Sequence, residues 1–240
     1  SNINNCHAQA RVDFKGDVMV YKNIVKRLFD IILSGIAIII MVVPMLIVAI
    51  AIKIDDPGPV FFTQKRVGKS KNGQITYFNI WKFRSMKTST PSEVPTHLLV
   101  DSEQYITRVG KVIRKASIDE LPQIYQVFTG KLSIIGPRPA LWSQEDLIAE
   151  REKYGANDIN PGITGWAQIN GRDALEIDEK ARHDGEYTAA INAGNFKGFV
   201  MDMKCIFGTV AAVLMRTDII EGALNGADTQ EEKEEVTTGE

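Results

Sequence analysis

The chain has 240 residues and a formal net charge of −2, enough length for one domain with a sizeable core or a domain with appendages, and too little charge to select a partner by itself. Two distant cysteines, Cys6 and Cys205, and three scattered histidines, His7, His97 and His183, have neither the spacing of a zinc site nor that of a disulfide framework. Each histidine reads as a solvated surface residue, and no nucleic-acid partner is expected.

Residues 1–21 are polar and mixed and form an N-terminal extension without a readable motif. Residues 22–54 follow as a basic, amphipathic entry leading into the run Ile31–Ile52, IILSGIAIIIMVVPMLIVAIAI, which no charge interrupts. As a helix this run is about 33 Å long, enough for the hydrocarbon core of a bilayer. A segment apolar on every face has little use in a soluble domain, so membrane insertion is expected. Pro44 lacks an N–H for the carbonyl of Ile40 and predicts a kink or break. Lys22, Lys26 and Arg27 precede the run and Lys53, Lys65 and Arg66 follow it, and positive flanks mark the cytoplasmic side. Two such flanks suit a helix that enters, bends at Pro44 and returns, with arms of roughly 16–20 Å. A kinked spanning helix fits the charges equally well.

Residues 55–222 read as a folded domain, the candidate catalytic domain. DPGP is a turn, and VFFTQ (60–64) and QITYFNIWKF (74–83) read as strands joined through a basic loop with the turn signal Asn72-Gly73. Period-2 alternation sends Lys82 and Arg84 to one face, as second-rank phosphate contacts or as a solvated edge. Residues 88–97 are a polar, proline-bearing loop. Helices are predicted over 105–115 and 121–128, then a short buried strand in LSIIG, a helix over 143–154, a glycine-rich loop over 157–173, and helices over 174–192 and 201–215, the last interrupted at Gly208. The tail, 223–240, is acidic and poor in large apolar residues, the composition of a disordered segment.

The stretch KASIDELPQ (115–123) sets Asp119 beside Glu120 just before Pro122. Ser117 and Glu120 fit a capping box, but a helix capped at Ser117 would bring Pro122 into collision with the carbonyl of Ile118. A helix starting nearer Asp119 avoids this and leaves both carboxylates at a helix entrance, where backbone N–H groups and a metal can gather. Arg138, held between two prolines in GPRP, suits a bidentate phosphate contact, with a structural ion pair as the alternative. PGITGWAQINGR (161–172) combines turn glycines with Gln168, Asn170 and Arg172, as a backbone-lined ligand loop does and as a plain Ω-loop also does.

Taken in order, KRLFD, the apolar run, DPGPVFF-Q-RVG, KFRSM, TRVGK-IRK-S-DELPQ, G-LS-IGPRP and PG-TGWAQ-NGR, from about Lys22 to Arg216, resemble the bacterial sugar transferases, the monotopic phosphoglycosyl transferases. The length resembles that of the small members, which lack the extra transmembrane helices of larger relatives. The resemblance implies an α+β protein: a membrane-inserted, re-entrant helix-break-helix followed by a small, mainly helical cytosolic domain with a β-hairpin, at the cytoplasmic face of the cell membrane. It implies transfer of a sugar 1-phosphate from a UDP-sugar to undecaprenyl phosphate with release of UMP, early in a surface-glycan pathway. It assigns Asp119 as nucleophile, Glu120 with Asp119 as the carboxylates serving Mg²⁺, and Arg138 as a phosphate contact; Lys82, Arg84, Gln168 and Arg172 are further substrate-binding candidates. One departure stands out: Val43 precedes Pro44 where members often carry serine, so a hydroxyl partner for the freed carbonyls is absent. The rival readings are a non-catalytic membrane scaffold and a nucleotide-sugar diphosphatase. The sequence selects neither a sugar nor an oligomeric state, a homo-oligomer among the alternatives.

Overall fold

The computed structural model describes residues 20–90, 102–171 and 175–214. The readings for residues 1–19, for 91–97 of the polar loop, for Arg172 and for the acidic tail lie outside the described residues. The architecture is mixed helix and sheet. A π-helical turn, Tyr21–Val25, leads into helix α1, Lys26–Asp55. At 1.5 Å per residue α1 is about 45 Å long. Pro44 lies inside it, and the helix continues on both sides, so the expected break is absent. One forfeited hydrogen bond costs about 3 kcal/mol. That does not end a helix whose neighbouring turns are intact and whose Ile, Val, Leu and Ala side chains carry no group that competes for backbone hydrogen bonds.

Both ends of α1 are fixed to the rest of the protein. At the start, Lys26 donates to Asp202 at 2.9 Å, Asp30 accepts from the N–H of Ile134 at 2.9 Å, and Arg27 donates to the carbonyls of Val127 and Phe128 at 2.6 and 2.7 Å. Tyr21 and Tyr187 also donate to Asp202, so this buried carboxylate is satisfied on both oxygens. At the far end Ile52 is buried with Phe83 and Ile113, and Met45, Val48 and Ala49 pack on that cluster. Asp55 accepts from the N–H of Val109 at 2.8 Å. Between these anchors Ile39, Ile40, Val43, Leu46 and Ile47 are exposed. Among the described residues this is the one helix long and apolar enough to cross a membrane.

Strands β1 (Phe61–Val67) and β2 (Tyr77–Phe83) form the expected antiparallel hairpin, Phe61 opposite Phe83 and Val67 opposite Tyr77. Asn72 and Gly73 both take positive φ, 51° and 73°, and Lys71 and Gln74 exchange backbone hydrogen bonds across them. Two adjacent positive-φ residues are what a type I′ turn needs, which is why Asn-Gly marks the site.

A 3-10 turn, Ser102–Tyr105, precedes α2, Arg108–Lys115, which therefore begins three residues later than the pattern suggests. Thr107 caps it, its hydroxyl accepting from the N–H of Gly110 at 2.8 Å. A 3-10 turn, Ile118–Glu120, leads to α3, Gln123–Phe128. Strand β3, Ser133–Ile135, pairs in parallel with β4, Gly162–Thr164, inside the stretch read as loop. The same stretch holds the short helix α5, Trp166–Ile169. Three residues of strand and four of helix are too short for hydrophobic periodicity to register. Between β3 and β4 lie α4, Glu145–Glu152, and a 3-10 turn, Ala156–Asp158.

Helices α6, Ile177–Asn192, and α7, Asn195–Leu214, complete the described fold. α7 begins six residues before the predicted start and is not interrupted at Gly208, whose absent side chain makes room for Ile169. The principal core joins Tyr21, Ile135, Ile159, Tyr187, Ile191 and Cys205. Tyr21, the last residue of the extension as drawn from sequence, is thus a core residue, 5% exposed.

Candidate active site

Asp119 and Glu120 share the 3-10 turn between α2 and α3. Ser117, just before it, sits in the left-handed region at φ 54°, and its hydroxyl caps nothing, so the capping box is not formed. Pro122 takes the N-cap position of α3, ahead of the first turn that would need its N–H. Glu120 turns to the site instead. Its Oε1 accepts from Lys82 Nζ and from Arg138 Nη2, both at 2.8 Å. Residues from β2, the 3-10 turn and GPRP, far apart in sequence, meet at one oxygen.

Electrostatics separates the two carboxylates. Burial alone would raise the Glu120 carboxyl, but Arg138 and Lys82 outweigh it and hold it at about 2. For Asp119 burial wins and pushes the carboxyl up; Lys82 pulls it back and the charge on Glu120 adds to the push. Asp119 takes part in no ion pair among the described residues. One carboxylate is neutralised by its neighbours; the other is half-buried and has no such cation on it among the described residues.

Two backbone devices hold this arrangement. Gln126, 1% exposed, accepts from the N–H of Trp81 at 2.9 Å and donates to the carbonyl of Asn79 at 2.7 Å. It thereby pairs the edge of β2 as a neighbouring strand would, and ties α3, directly after Glu120, to the strand that carries Lys82. The second device is a close approach of three glycines. A Cβ on Gly162 would lie 2.1 Å from the nitrogen of Gly136, and one on Gly165 would lie 2.1 Å from its carbonyl oxygen. Only hydrogen fits there, so the GPRP turn seats directly on the backbone of the β4 segment, with Gly136 N–H donating to Thr164 O and Gly162 N–H to Pro137 O.

The other sequence candidates are distributed as follows. Arg84 is not at Glu120; its Nη1 bonds Asp56 at 2.8 Å, its Nη2 bonds the carbonyl of Asp56, and Thr88 N–H joins the same carboxylate. It anchors the end of α1 to the end of β2. Gln168 donates to Ile163 O at 2.9 Å, while its Oε1 is buried without a partner among the described residues. It lines a recess together with Arg138. Pro44 lies in α1, away from these groups in sequence and element. Sequence reasoning missed Gln126, which carries no local signal because its partners are backbone atoms 45 and 47 residues away.

The donor set bears on a hard cation. Among the described residues no group of three or more His, Cys, Asp and Glu forms a metal cage. Mg²⁺ needs no such cage: it keeps several waters and binds through one or two carboxylates plus substrate phosphates. Asp119, and Glu120 through the oxygen not engaged by Lys82 and Arg138, fit that pattern.

The bacterial sugar transferase family model matches residues 21–216. The exopolysaccharide production protein PSS of Rhizobium leguminosarum bv. phaseoli is 38% identical over 205 residues, covering 80% of this chain and 96% of the relative. The UDP-glucose:undecaprenyl-phosphate glucose-1-phosphate transferase of Escherichia coli (strain K12) is 34% identical over 200 residues, 78% of this chain and 39% of the relative. The UDP-N-acetylgalactosamine-undecaprenyl-phosphate N-acetylgalactosaminephosphotransferase of Aeromonas hydrophila is 37% identical over 195 residues, 79% of this chain and 44% of the relative. The chain thus spans nearly all of the first relative and less than half the length of the other two. With nearly the whole described fold inside the match, the chain belongs to the bacterial sugar transferase family.

Proposed function

We propose that this protein transfers a sugar 1-phosphate from a UDP-sugar to undecaprenyl phosphate, giving undecaprenyl-diphospho-sugar and UMP, through a covalent intermediate on Asp119. The observation that carries the reading is the division of labour between adjacent carboxylates: Glu120 is bound by Lys82 and Arg138, and Asp119 has no ion pair among the described residues. The relatives from Escherichia coli and Aeromonas hydrophila, named for such transfers, support the choice of donor and acceptor.

In the first step an Asp119 oxygen attacks the β-phosphorus. The bond from that phosphorus to the bridging oxygen breaks, and UMP leaves with the electron pair. In the second, an oxygen of the lipid phosphate attacks the same phosphorus, the bond to Asp119 breaks, and the carboxylate is regenerated. Every reactant is anionic. Two unit charges 4 Å apart repel by about 4 kcal/mol at an effective dielectric near 20, roughly a thousandfold in rate. Arg138 and Lys82 supply the compensating charge from the protein. Mg²⁺, held by Asp119 and Glu120 when bound, adds neutralisation at the phosphates. No general base is needed for the acceptor, because a phosphate monoester with a second pKa near 6 is already ionised at neutral pH.

The same reading seats α1 in the bilayer from the cytoplasmic face without crossing it. Both ends of the helix being bonded to one body supports this, since a spanning helix delivers its ends to opposite sides. The exposed isoleucines, valine and leucine at its middle need an apolar surrounding, each side chain being worth about 1.5–3 kcal/mol when withdrawn from water. The placement brings Asp119 to the depth of the lipid phosphate.

Mass spectrometry of the chain stalled with a UDP-sugar and no acceptor is expected to find the phosphosugar mass on the peptide containing Asp119. Asp119→Asn should lose both the adduct and UMP release. Full turnover by that variant, or continued UMP release over many turnovers without undecaprenyl phosphate, would falsify the reading; the latter marks hydrolysis.

A further inference from the structure

Beside the last turn of α1 lies an open recess of about 810 Å³, lined among others by Ile54, Lys87, Arg108 and Lys111. We infer that it seats the headgroup of an anionic phospholipid of the surrounding bilayer, apart from the lipid that reacts; the inference rests on the bilayer placement of α1 proposed above. Charge is the first argument. Lys87, Arg108 and Lys111 take part in no ion pair among the described residues. Of the acids in the same lining, Asp56 is claimed by Arg84 at 2.8 Å, which leaves Asp55 and Glu103 against the three cations. The surplus is one positive charge, the complement of a phosphodiester with its one negative charge, and basic recesses beside membrane helices on the cytoplasmic side hold such headgroups.

The helix that carries two of these cations is the second argument. α2, RVGKVIRK, has four basic residues and no acid, and Arg108 stands at its first position. The helix dipole favours acids there and opposes a cation. Arg108, Lys111 and Lys115 are exposed and share the face opposite buried Ile113. Neither helix stability nor packing in the described fold calls for a cation at Arg108; an anionic surface outside the protein does. Ile54, 78% exposed in the same lining, sets an apolar side chain beside the cations, as the acyl esters of a lipid lie beside its headgroup phosphate.

Position separates this lipid from the acceptor, which shares its phosphate chemistry. α2 packs on the end of α1, Ile113 against Ile52 and the N–H of Val109 on Asp55, so its first turn lies where the apolar helix meets water. In the bilayer reading that is the depth of the headgroups. Asp119 lies past the other end of α2, after eight helical residues that take about 12 Å. None of Lys82, Asp119, Glu120 and Arg138 lines the recess. A phosphate bound at Arg108 is therefore out of reach of a phosphorus carried on Asp119, and the lipid seated there holds α2, and through it the catalytic turn, against the bilayer.

The purified full chain is titrated in neutral detergent micelles with phosphatidylglycerol or phosphatidylcholine. Bound lipid is counted by native mass spectrometry, and unfolding is followed by circular dichroism. The unmodified chain is expected to retain phosphatidylglycerol over phosphatidylcholine and to unfold at a higher temperature with it. Arg108→Gln combined with Lys111→Gln should weaken phosphatidylglycerol binding at least about tenfold, two headgroup-level charges being lost. In neutral micelles the same variant should unfold no lower than the unmodified chain, since a cation opposed by the helix dipole is gone. Arg108→Lys with Lys111→Arg should restore binding. Phosphatidylglycerol affinity unchanged in the glutamine variant overturns the site, and so does equal retention of both lipids by the unmodified chain. A glutamine variant that unfolds lower in neutral micelles shows the cations to be structural and overturns it as well. A KM for undecaprenyl phosphate raised by that variant in nanodiscs of phosphatidylcholine alone overturns it in favour of the acceptor. Phosphatidylglycerol bound through Arg108 and Lys111 by a chain that transfers nothing from any UDP-sugar sinks the transferase reading and keeps the lipid site.

Discussion

Asp119 and Glu120 are neighbours in the chain and opposites in charge environment. Glu120, held at about 2 by Arg138 and Lys82, keeps its two ion pairs through the whole pH range in which an enzyme works. Asp119 is pushed up by burial, and its reactive form is the anion. The anion is lost as pH falls through the raised value, so the acid limb of kcat/KM for the UDP-sugar should lie above the ordinary aspartate range of about 3.9 and belong to Asp119 rather than Glu120. Lys82 opposes the rise. Lys82→Met is therefore expected to move the acid limb to higher pH and to lower kcat/KM at neutral pH by about tenfold or more, as a charge-assisted contact is lost. A pH–rate profile with an unmoved acid limb would remove Lys82 from the account. The resemblance implies Asp119, Glu120 and Arg138 as the working set, and the structure brings Glu120 and Arg138 into contact beside Asp119. It separates Lys82 from Arg84, which strand alternation had grouped. Arg84 lies one residue past the end of β2, where Asp56 at the end of α1 claims its guanidinium.

At the scale of elements, the site depends on a strand edge that a side chain seals. Gln126 is one residue acting for a missing strand: its amide serves the N–H of Trp81 and the carbonyl of Asn79 together. Gln126→Leu keeps the volume but orphans both backbone groups, at about 1–3 kcal/mol each. The expected result is a loss of roughly 2–5 kcal/mol in thermal or denaturant unfolding, with activity falling because Lys82 is no longer held against Glu120. Full stability with the leucine would show that β2 does not rely on this pairing. Elements with a strong local rule were legible: the Asn72-Gly73 hairpin and helices α3, α4 and α6 stand where turn chemistry and periodicity put them. β4 and α5 were not, because neither is long enough to show a period and β4 exists only through its pairing with β3.

For the molecule as a whole, the decisive feature is that α1 is tied to the same body at both of its ends. Lys26, Arg27 and Asp30 bind one side of the catalytic body, and Ile52, Asp55 and Asp56 bind it again thirty residues on. In the bilayer reading both flanks stay in the cytoplasm. Single cysteines at Ile24 and Lys53, both exposed positions, are expected to resist an impermeant maleimide applied to intact cells and to react after lysis. A Cys6→Ser background keeps the assay clean, since Cys205 is fully buried. Labelling of either position from outside would show a spanning helix and overturn the monotopic placement.

By itself the sequence determined that a long uncharged segment precedes a mixed helix and sheet domain, that Asn72-Gly73 turns a hairpin, and that Asp119 and Glu120 stand together ahead of Pro122. These are local facts, settled by composition, period and the geometry of proline and glycine. Only the tertiary structure decided that the helix runs unbroken through Pro44, that Glu120 is the carboxylate bound by cations, and that Arg84 serves as an anchor. The last two outcomes depend on which distant charge the fold holds at hydrogen-bonding distance and the first on the intact turns around Pro44, and a linear pattern carries no record of distance in space.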